Sequence, residues 1–411
     1  MPVTNNNLRL VDRPVWEQLT PGPANSAAGA TMTDDNERFV YYLISATAFW
    51  RYDTWADTWQ QLANPTGGTV GAGTTLRYSK QIGEQFNGVV YGSVYALITS
   101  GTGSPVFNRY NIATNAWTNL SVASLPGTFG TDGKFVIPEP FLNGYVGGYH
   151  SGVLQTVTAS ANALVGATSI SVSALSAALP SGAILNFGTY EAPILAVLTA
   201  SAAASAISVT VAPLIAQVNS ASTALYYDHG YLIGNNATQM YRYTITTNAW
   251  STTSANGGTP ALAAITAAPG AGLSLKWLPG SSFANAVDSL FCMRGAATST
   301  MYRYRLDTNA WSTITFHPAT ETFTTGTSYG LRSDSNGRMT KFLISKEVTN
   351  RVYEFDPVTS RISPVATQWL LAQGAALVGD RSFVIKSPDG IEFFYMMLST
   401  STSFVRTPLF F

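Results

Sequence analysis

The sequence predicts an all-β fold: a ring of six four-stranded blades, a β-propeller, with one small β domain inserted into it. Three observations predict this fold. A ten-residue phrase with the pattern of a β-hairpin recurs along the 411-residue chain. The copies are spaced at an interval that accommodates four strands each. The one interval that is too long contains a segment of different composition.

The phrase reads Tyr-Arg-Tyr, then a short polar stretch, then Asn-Ala-Trp in its most regular copies. Apolar groups alternate over Tyr302, Tyr304 and Leu306, which places them on one face of a strand. The stretch before the tryptophan is typical of a turn, because Asn tolerates the left-handed backbone conformation. The copies span residues 50–59, 108–117, 241–250 and 302–311, with a weaker one at 353–362 and the tail alone at 15–19.

This phrase resembles the kelch motif, in which a Tyr-Asp-x-x-Thr-x-x-Trp hairpin joins the third and fourth strands of a propeller blade. The resemblance covers most of the chain outside the inserted segment, and it implies a kelch-like β-propeller. The chain departs from the kelch pattern in its glycines, since the double glycine of that family occurs cleanly once, at Gly147 and Gly148.

The spacing of the copies gives the number of blades. The residues at the last position of the phrase are Trp16, Trp59, Trp117, Trp250, Trp311 and Ile362. Four of their successive intervals are 43, 58, 61 and 51 residues, close to the kelch period of about 50. The interval from Trp117 to Trp250 is 133 residues, and it becomes 62 when residues 152–222 are removed.

The sixth interval runs from Ile362 through the two chain ends to Trp16. We therefore predict that the N-terminal strand closes the ring by completing a blade whose other strands come from the last forty residues or so. Such closure removes the free sheet edges that promote aggregation. In domain terms, residues 1–151 form blades one and two and begin blade three. Residues 152–222 form the inserted domain, and residues 223–411 complete blade three and form blades four to six.

Residues 152–222, termed the insertion below, contain one charged residue, Glu191. A Thr-Ala-Ser-Ala sequence followed by an alternating apolar stretch occurs twice in it, and this alternation predicts strands. A domain exposed to water usually carries several charged groups. The insertion is either a soluble domain covered by serine and threonine or, the reading we favour, a domain buried against another protein. The predicted interface residues are Glu191, Ile170, Val172, Ile207 and Val209.

Low-charge β modules rich in Ala, Ser and Thr resemble those of structural proteins of tailed bacteriophages. The resemblance implies a non-enzymatic structural protein of the virion, in the tail, the neck or the head decoration, made in the host cytoplasm. Its partners would be other virion proteins, in a homo-oligomer or another symmetric assembly. The N-terminus has no basic segment followed by an apolar run, so a secretory signal is not expected.

A second hypothesis is a propeller that binds carbohydrate, such as a host-surface glycan that serves as a receptor. Trp55 is the candidate sugar platform, because it falls in the turn of the phrase where other copies have small residues; a packing anchor is its alternative role. The recurring arginines are further candidates, either bonded to the chain itself and stacked on aromatic rings or lining one face of the ring to bind an acidic or sugar ligand. They are Arg51, Arg109, Arg242 and Arg303.

The composition argues against several other classes. The chain has 22 basic and 22 acidic residues, so no attraction to nucleic acid or to an anionic membrane is expected. No apolar stretch has the length of a transmembrane helix. Kelch-like propellers include galactose-oxidase-type enzymes, and that resemblance implies a copper site.

The histidines do not match that site, because His150, His229 and His317 lie at unequal places in the repeats. Cys292 lies in an apolar run that is typical of a core strand. We therefore predict no metal, no cofactor and no enzymatic activity. A metal-dependent kelch-type oxidase is the third hypothesis.

Overall fold

The computed structural model describes residues 16–25, 28–100, 103–127, 130, 132–138, 154–189, 192–234, 237–253, 261–278, 288–324, 327–333, 339–346, 351–368, 381–398 and 401–409. Within these ranges the regular structure is entirely β, with thirty strands. Six antiparallel sheets of four strands form a propeller, which confirms the predicted fold class for the described residues. These ranges contain no helix with the length and apolarity to cross a bilayer.

The strands follow one another blade by blade. The first is β1 (Glu17–Gln18). Blade one contains β2 (Thr31–Asp34), β3 (Phe39–Ser45), β4 (Ala48–Asp53) and β5 (Thr58–Gln61). Blade two contains β6 (Thr75–Phe86), β7 (Val89–Ile98), β8 (Val106–Asn111) and β9 (Ala116–Leu120). Blade three begins with β10 (Lys134–Val136).

Six short strands come next: β11 (Leu154–Thr158), β12 (Ser169–Ser171), β13 (Ile184–Asn186), β14 (Leu195–Val197), β15 (Ser208–Thr210) and β16 (Thr223–Tyr227). Blade three resumes with β17 (His229–Ile233), β18 (Met240–Thr244) and β19 (Ala249–Ser251). Blade four contains β20 (Ser274–Leu278), β21 (Ser289–Met293), β22 (Thr300–Arg305) and β23 (Ala310–Thr315). Blade five contains β24 (Thr327–Ser333), β25 (Met339–Lys346), β26 (Arg351–Asp356) and β27 (Arg361–Gln368). Blade six contains β28 (Ser382–Lys386), β29 (Glu392–Met397) and β30 (Phe404–Leu409).

The first strands of the blades surround the axis of the propeller. Contacts run from β2 to β6, β10, β20, β24 and β28 in turn, and from β28 back to β2. The fourth strand of blade six is β1, which pairs with β30 so that Glu17 lies opposite Arg406. The Trp16 ring packs edge-on against Phe394, with 6.3 Å between ring centroids. Closure of the ring by the N-terminal strand stays a prediction, and this pairing supports it.

The repeated phrase holds the outer hairpin of a blade to the segment that follows the preceding blade. In blade four the Tyr304 hydroxyl donates to Oδ1 of Asn309 at 2.6 Å, and the same oxygen accepts the backbone N–H of Ala263 at 2.9 Å. The Trp311 indole N–H donates to the Ala263 carbonyl at 2.9 Å. Asn309 has a φ of 50°, a conformation that Asn tolerates. These three hydrogen bonds are termed the latch.

The same latch occurs in blades one, two and three. The equivalent residues are Tyr52, Asp57, Trp59 and Thr20 in blade one, Tyr110, Asn115, Trp117 and Ala63 in blade two, and Tyr243, Asn248, Trp250 and Ser121 in blade three. In blade five backbone bonds take its place: His317 N–H donates to the Ser360 carbonyl at 2.8 Å, and Ile362 N–H donates to the His317 carbonyl at 2.9 Å. The residues that recur in the sequence are therefore those that join neighbouring blades.

The insertion leaves the chain between the first and second strands of blade three and packs on blade two. Its strands form two-stranded pairs, β11 with β16, β12 with β15 and β13 with β14. Gly83 N–H donates to the Gly182 carbonyl at 2.9 Å, and Gln85 Nε2 donates to the Pro213 carbonyl at 2.8 Å. Its buried side chains belong to one apolar cluster with residues of blades two and three, including Ile82 and Phe135. The boundaries 152–222 and the separate-domain status stay predictions.

Candidate functional site

The recurring arginines occupy one register position on the third strand of their blades. Their partners on the neighbouring second strand are aromatic, and on the fourth strand they face a small or polar residue. The pairs are Arg51 with Tyr41 and Gln60, Arg109 with Tyr95 and Thr118, Arg242 with Tyr231 and Ser251, and Arg303 with Phe291 and Ser312. One position in the repeat therefore places a cation between two strands in four blades.

Two of the four make contacts with side chains of their own blade, and a third is buried. Arg51 Nη2 donates to Gln60 Oε1 at 2.6 Å, and the guanidinium lies 4.4 Å from the centroid of the Phe39 ring. Arg303 Nε donates to Ser289 Oγ at 3.0 Å. Arg242 is buried, and this burial lowers the pKa of its guanidinium. For these three the structural role is the one that the contacts and the burial support.

A fifth arginine, Arg406, occupies the same position in blade six. It lies opposite Tyr395 and Glu17, and its Nε donates to Glu17 Oε2 at 2.6 Å. Arg406 was not predicted, because Val405-Arg406-Thr407 lacks the flanking tyrosines and because the fourth strand of its blade comes from the other end of the chain. The signal that could have found it is the tail of the phrase at Trp16. In blades one to four the residue after the tryptophan lies opposite the arginine, as Glu17 lies opposite Arg406.

Arg109 differs from the others because it borders a cleft between blade two and the insertion. The cleft has a volume of about 440 Å³. Its lining is mostly polar or backbone: Ile82, Gly83, Glu84, Gln85, Ser93, Arg109, Asn111, Ser181, Gly182, Val197, Leu198, Thr199 and Ala212. Among the described residues, none makes a hydrogen bond or an ion pair with the Arg109 guanidinium. Arg109 is therefore a predicted ligand-binding arginine that the structure places at a cavity.

A second cleft, of about 620 Å³, lies on blade five beside His317 and Asp356. Three of its charged groups are already engaged, because Glu354 accepts from Lys341 as well as from Arg332, and Asp356 accepts the backbone N–H groups of Val358 and Thr359. Opposite charges that pair with each other leave less for a ligand to recognise. The blade-two cleft is therefore the better candidate site.

Charged side chains are also buried near the propeller axis, which the sequence analysis did not anticipate. Lys134 Nζ lies 2.9 Å from Asp132 Oδ1, and both side chains are almost completely buried. Arg77 Nη2 donates to the Leu275 carbonyl at 3.2 Å and so joins blades two and four. Because these charged side chains are paired or hydrogen-bonded within the propeller, a structural role accounts for their burial.

Trp55 lies in the turn between β4 and β5, where its side chain is 53% exposed. The Arg38 guanidinium stacks on the ring at 4.5 Å from the centroid, and Arg38 Nε donates to Asp53 Oδ1 at 2.9 Å. One face of the ring is thus covered by the chain's own cation. The predicted roles of Trp55, as sugar platform or as packing anchor, stay predictions.

Five exposed apolar side chains lie on neighbouring segments where the β6–β7 hairpin touches the insertion, and they are termed the apolar patch. They are Phe86, Val89, Leu164, Val165 and Ile215, each between 48% and 65% exposed. Phe86 pairs with Val89 across the Asn87-Gly88 turn, and an ideal Cβ at Gly88 would lie 3.8 Å from Cγ2 of Ile215.

The rest of the patch is joined through the backbone of the insertion. Gly166 N–H donates to the Leu214 carbonyl at 2.8 Å, and Leu214 N–H donates to the Ala167 carbonyl at 3.0 Å. The turn that carries Leu164 and Val165 therefore lies beside Ile215. Three separate segments of the chain thus bring exposed apolar residues to one region of the surface.

The residues predicted to form the insertion's interface lie elsewhere. Ile170, Val172 and Val209 are at most 2% exposed and pack in the insertion's own core. They point inward because alternate residues of a strand face opposite sides, so they offer no surface to a partner. Ile207 is 69% exposed, at the end of the β12–β15 ladder away from the patch. Glu191 lies outside the described residues.

The other candidate groups are separated. His150 lies outside the described residues, His229 is buried in β17, and His317 lies at the cleft of blade five. Burial raises the pKa of the Cys292 thiol. Within the described ranges, no group of three or more His, Cys, Asp or Glu side chains could hold a metal ion.

What the fold defines is a six-bladed β-propeller. No family model and no curated protein matches the chain. It is similar to a chain in the crystal structure of the mitotic checkpoint complex, with 11% identity, a TM-score of 0.41, and coverage of 97% of this chain and 92% of that one. It is also similar to an auxiliary nutrient binding protein from Bacteroides thetaiotaomicron, with 8% identity, a TM-score of 0.47, and coverage of 93% and 69%. Likenesses this distant carry no argument about function.

Proposed function

We propose that the protein is a non-enzymatic structural component of a tailed-phage virion, a rigid propeller that assembles with its neighbours through the apolar patch. The single observation that carries the assembly role is the convergence of five exposed apolar side chains from three segments. The compositional resemblance of the insertion to structural proteins of tailed phages supports the virion assignment. The tail, the neck and the head decoration are its candidate positions there.

The patch is a better docking surface than a set of scattered apolar residues. Single exposed apolar side chains are normal on soluble proteins, whereas a contiguous exposed patch marks an interaction site. Phe86 and Val89 sit on a tight hairpin, and Gln85 beside them is bonded to Pro213 of the insertion at 2.8 Å. The patch is thus held in one shape before a partner arrives, which lowers the entropic cost of binding.

The occupant that we propose is the same patch on a second copy of the chain, in a symmetric assembly. The insertion contributes one charged residue in 71, so an apolar face would meet no buried and unpaired charge. The chain as a whole has equal numbers of basic and acidic residues, so copies do not repel one another. Two-fold contacts between identical patches are the commonest route to homo-oligomers.

Sedimentation of the purified full chain over a range of concentrations tests the assembly role. We expect the parent protein to form oligomers, and we expect Val165→Ser and Ile215→Ser to shift it to monomer by removing apolar area from the contact. Both positions are exposed, so each substitution should change the free energy of unfolding by less than about 0.5 kcal/mol.

Ile207→Ser is the matched control, because Ile207 is as exposed as the patch residues but lies at the other end of the β12–β15 ladder. It should oligomerise as the parent does. A parent chain that stays monomeric at about 100 μM would overturn the assembly role. At that concentration even an interface with a dissociation constant somewhat above micromolar would associate. The virion assignment has its own test, the presence of peptides from this chain in mass spectra of purified phage particles, and their absence would overturn it.

A further inference from the structure

We propose that the cleft beside Arg109 binds a neutral saccharide, held between blade two and the insertion. The proposal goes beyond the assembly role, because it uses neither the apolar patch nor a second copy of the chain. It rests on a comparison among equivalent arginines, on the charges that border the cleft, and on the remaining groups of its lining.

Among the equivalent arginines, Arg109 borders this cleft and makes no hydrogen bond or ion pair within the residues that the structure describes. Arg51, Arg303 and Arg406 each donate to a side chain of their own blade. A guanidinium carries five N–H donors. Those of Arg109 are available to a ligand that offers oxygen acceptors in the cleft.

The ligand must also suit a carboxylate, since Glu84 borders the same cleft. An anionic ligand would be attracted by Arg109 but repelled by Glu84. A cationic ligand would be repelled by Arg109 but attracted by Glu84. A hydroxyl group both donates and accepts, so an uncharged polyol satisfies the two side chains together. The opposed charges therefore disfavour a ligand with a net charge and are compatible with a neutral, hydroxyl-rich one.

The remaining polar lining continues this pattern. Ser93, Asn111, Ser181 and Thr199 supply hydroxyl and amide groups around the cavity. Its volume of about 440 Å³ falls within the range of small-molecule sites. The lining contains no aromatic ring on which a sugar could stack. We therefore expect hydrogen bonding alone, with a dissociation constant on the order of millimolar.

The walls of the cleft are fixed in advance. Gly83 N–H bonds to the Gly182 carbonyl at 2.9 Å, and an isolated bridge pairs Ile82 with Ala183. These contacts join the bulged part of β6, between Ser79 and Glu84, to the insertion. The two sides of the cleft cannot separate without breaking them, so little ordering is left for the ligand to induce.

Saturation-transfer NMR on the full chain tests the proposal. The probes are glucose, galactose, mannose, N-acetylglucosamine, maltose and lactose, with glucuronate and inorganic phosphate as anionic probes. We expect at least one neutral sugar to bind, Arg109→Ala to weaken it at least tenfold, and Glu84→Gln to weaken it a few-fold. Arg51→Ala is the matched control, since it removes the equivalent guanidinium of blade one, and it should bind as the parent does.

Three results would overturn the proposal: no response from any neutral sugar, binding that is unchanged in Arg109→Ala, or glucuronate or phosphate bound more tightly than every sugar and tighter still in Glu84→Gln. The last result would identify an anion site. A thermal midpoint of Arg109→Ala equal to that of the parent shows that lost binding is not lost folding. Because sedimentation measures the patch and NMR measures the cleft, failure of one proposal is distinguishable from failure of the other.

Discussion

In blades four and five the outer hairpin is held to the segment that follows the preceding blade by different hydrogen bonds. In blade four the side chains of Tyr304, Asn309 and Trp311 make the latch. In blade five the backbone of Ile362 pairs directly with that of His317. The side-chain latch is visible in the sequence as a phrase, whereas the backbone version needs no particular residue and leaves only a weak copy.

The difference explains why the repeated phrase is regular in some blades and weak in another. The phrase recurs where the junction between blades depends on side-chain donors and acceptors. It is only weakly present where backbone groups form the hydrogen bonds of the junction. The side-chain latch requires particular residues at its positions, whereas the backbone junction does not. Substitutions at equivalent positions in the two kinds of junction should therefore have unequal effects on stability.

The largest effect is expected from deleting residues 1–20, which removes β1 and the Thr20 acceptor of the blade-one latch together. The deletion also removes Leu19, which is 4% exposed, and leaves the edge of β30 open. We expect the free energy of unfolding, from urea titration of tryptophan fluorescence, to fall by at least about 4 kcal/mol. A truncated chain with the parent's midpoint would mean that the N-terminal strand does not close the ring.

A smaller effect is expected at the turn of the latch. Asn248→Ala removes the acceptor of both the Tyr243 hydroxyl and the Ser121 N–H, which should cost about 1–3 kcal/mol in the same titration. Ser360→Ala is the control, because its φ of 59° matches the 49° of Asn248 while blade five uses only its carbonyl. Equal losses in the two variants would mean that the turn conformation, and not the latch, determines the cost.

The smallest effect is expected for Trp311→Phe, which keeps an aromatic ring and removes one indole N–H. The Ala263 carbonyl loses a donor at 2.9 Å, and the free energy of unfolding should fall by about 1 kcal/mol. Trp55→Phe provides the comparison at an exposed tryptophan outside any latch, where the change should stay below about 0.5 kcal/mol. If both variants shift the urea midpoint alike, the indole bond adds nothing to the junction.

Much of the fold could be predicted from the sequence because the latch residues are chemically conspicuous. Trp250 and Trp311 mark the start of a fourth strand in blades three and four, as the spacing requires. The blade-five copy was found only through Tyr353 and Phe355, since Ile362 carries no such signal. The packing of the insertion on blade two was not predictable, because the bulge that carries Ile82 and Gly83 lies in β6, a first strand that the repeated phrase does not include.

The candidate site was less predictable than the fold. The phrase marked Arg109 only as one of four alike, and nothing near it in sequence separates it from Arg51. What separates them is the insertion, more than seventy residues further along the chain, whose Ser181 and Thr199 face the same cavity. The predicted interface residues had a related difficulty: alternation indicated Ile170 and Val209 as strand residues, but it could not tell which side of the strand reaches solvent.

The turn of the latch has a consequence for chemical ageing. Blade one carries Asp57 where blades two to four carry asparagine, and it makes the same three hydrogen bonds. Asparagine is among the residues that heat and time degrade, and loss of its amide nitrogen yields aspartate. A carboxylate oxygen accepts the tyrosine hydroxyl and the backbone N–H as the amide oxygen does. Hydrolysis to aspartate at Asn115 and Asn248 would therefore convert these turns to the chemistry that blade one already uses, whereas at Asn309 it would also remove the Nδ2 donor of the Ala261 carbonyl at 2.8 Å.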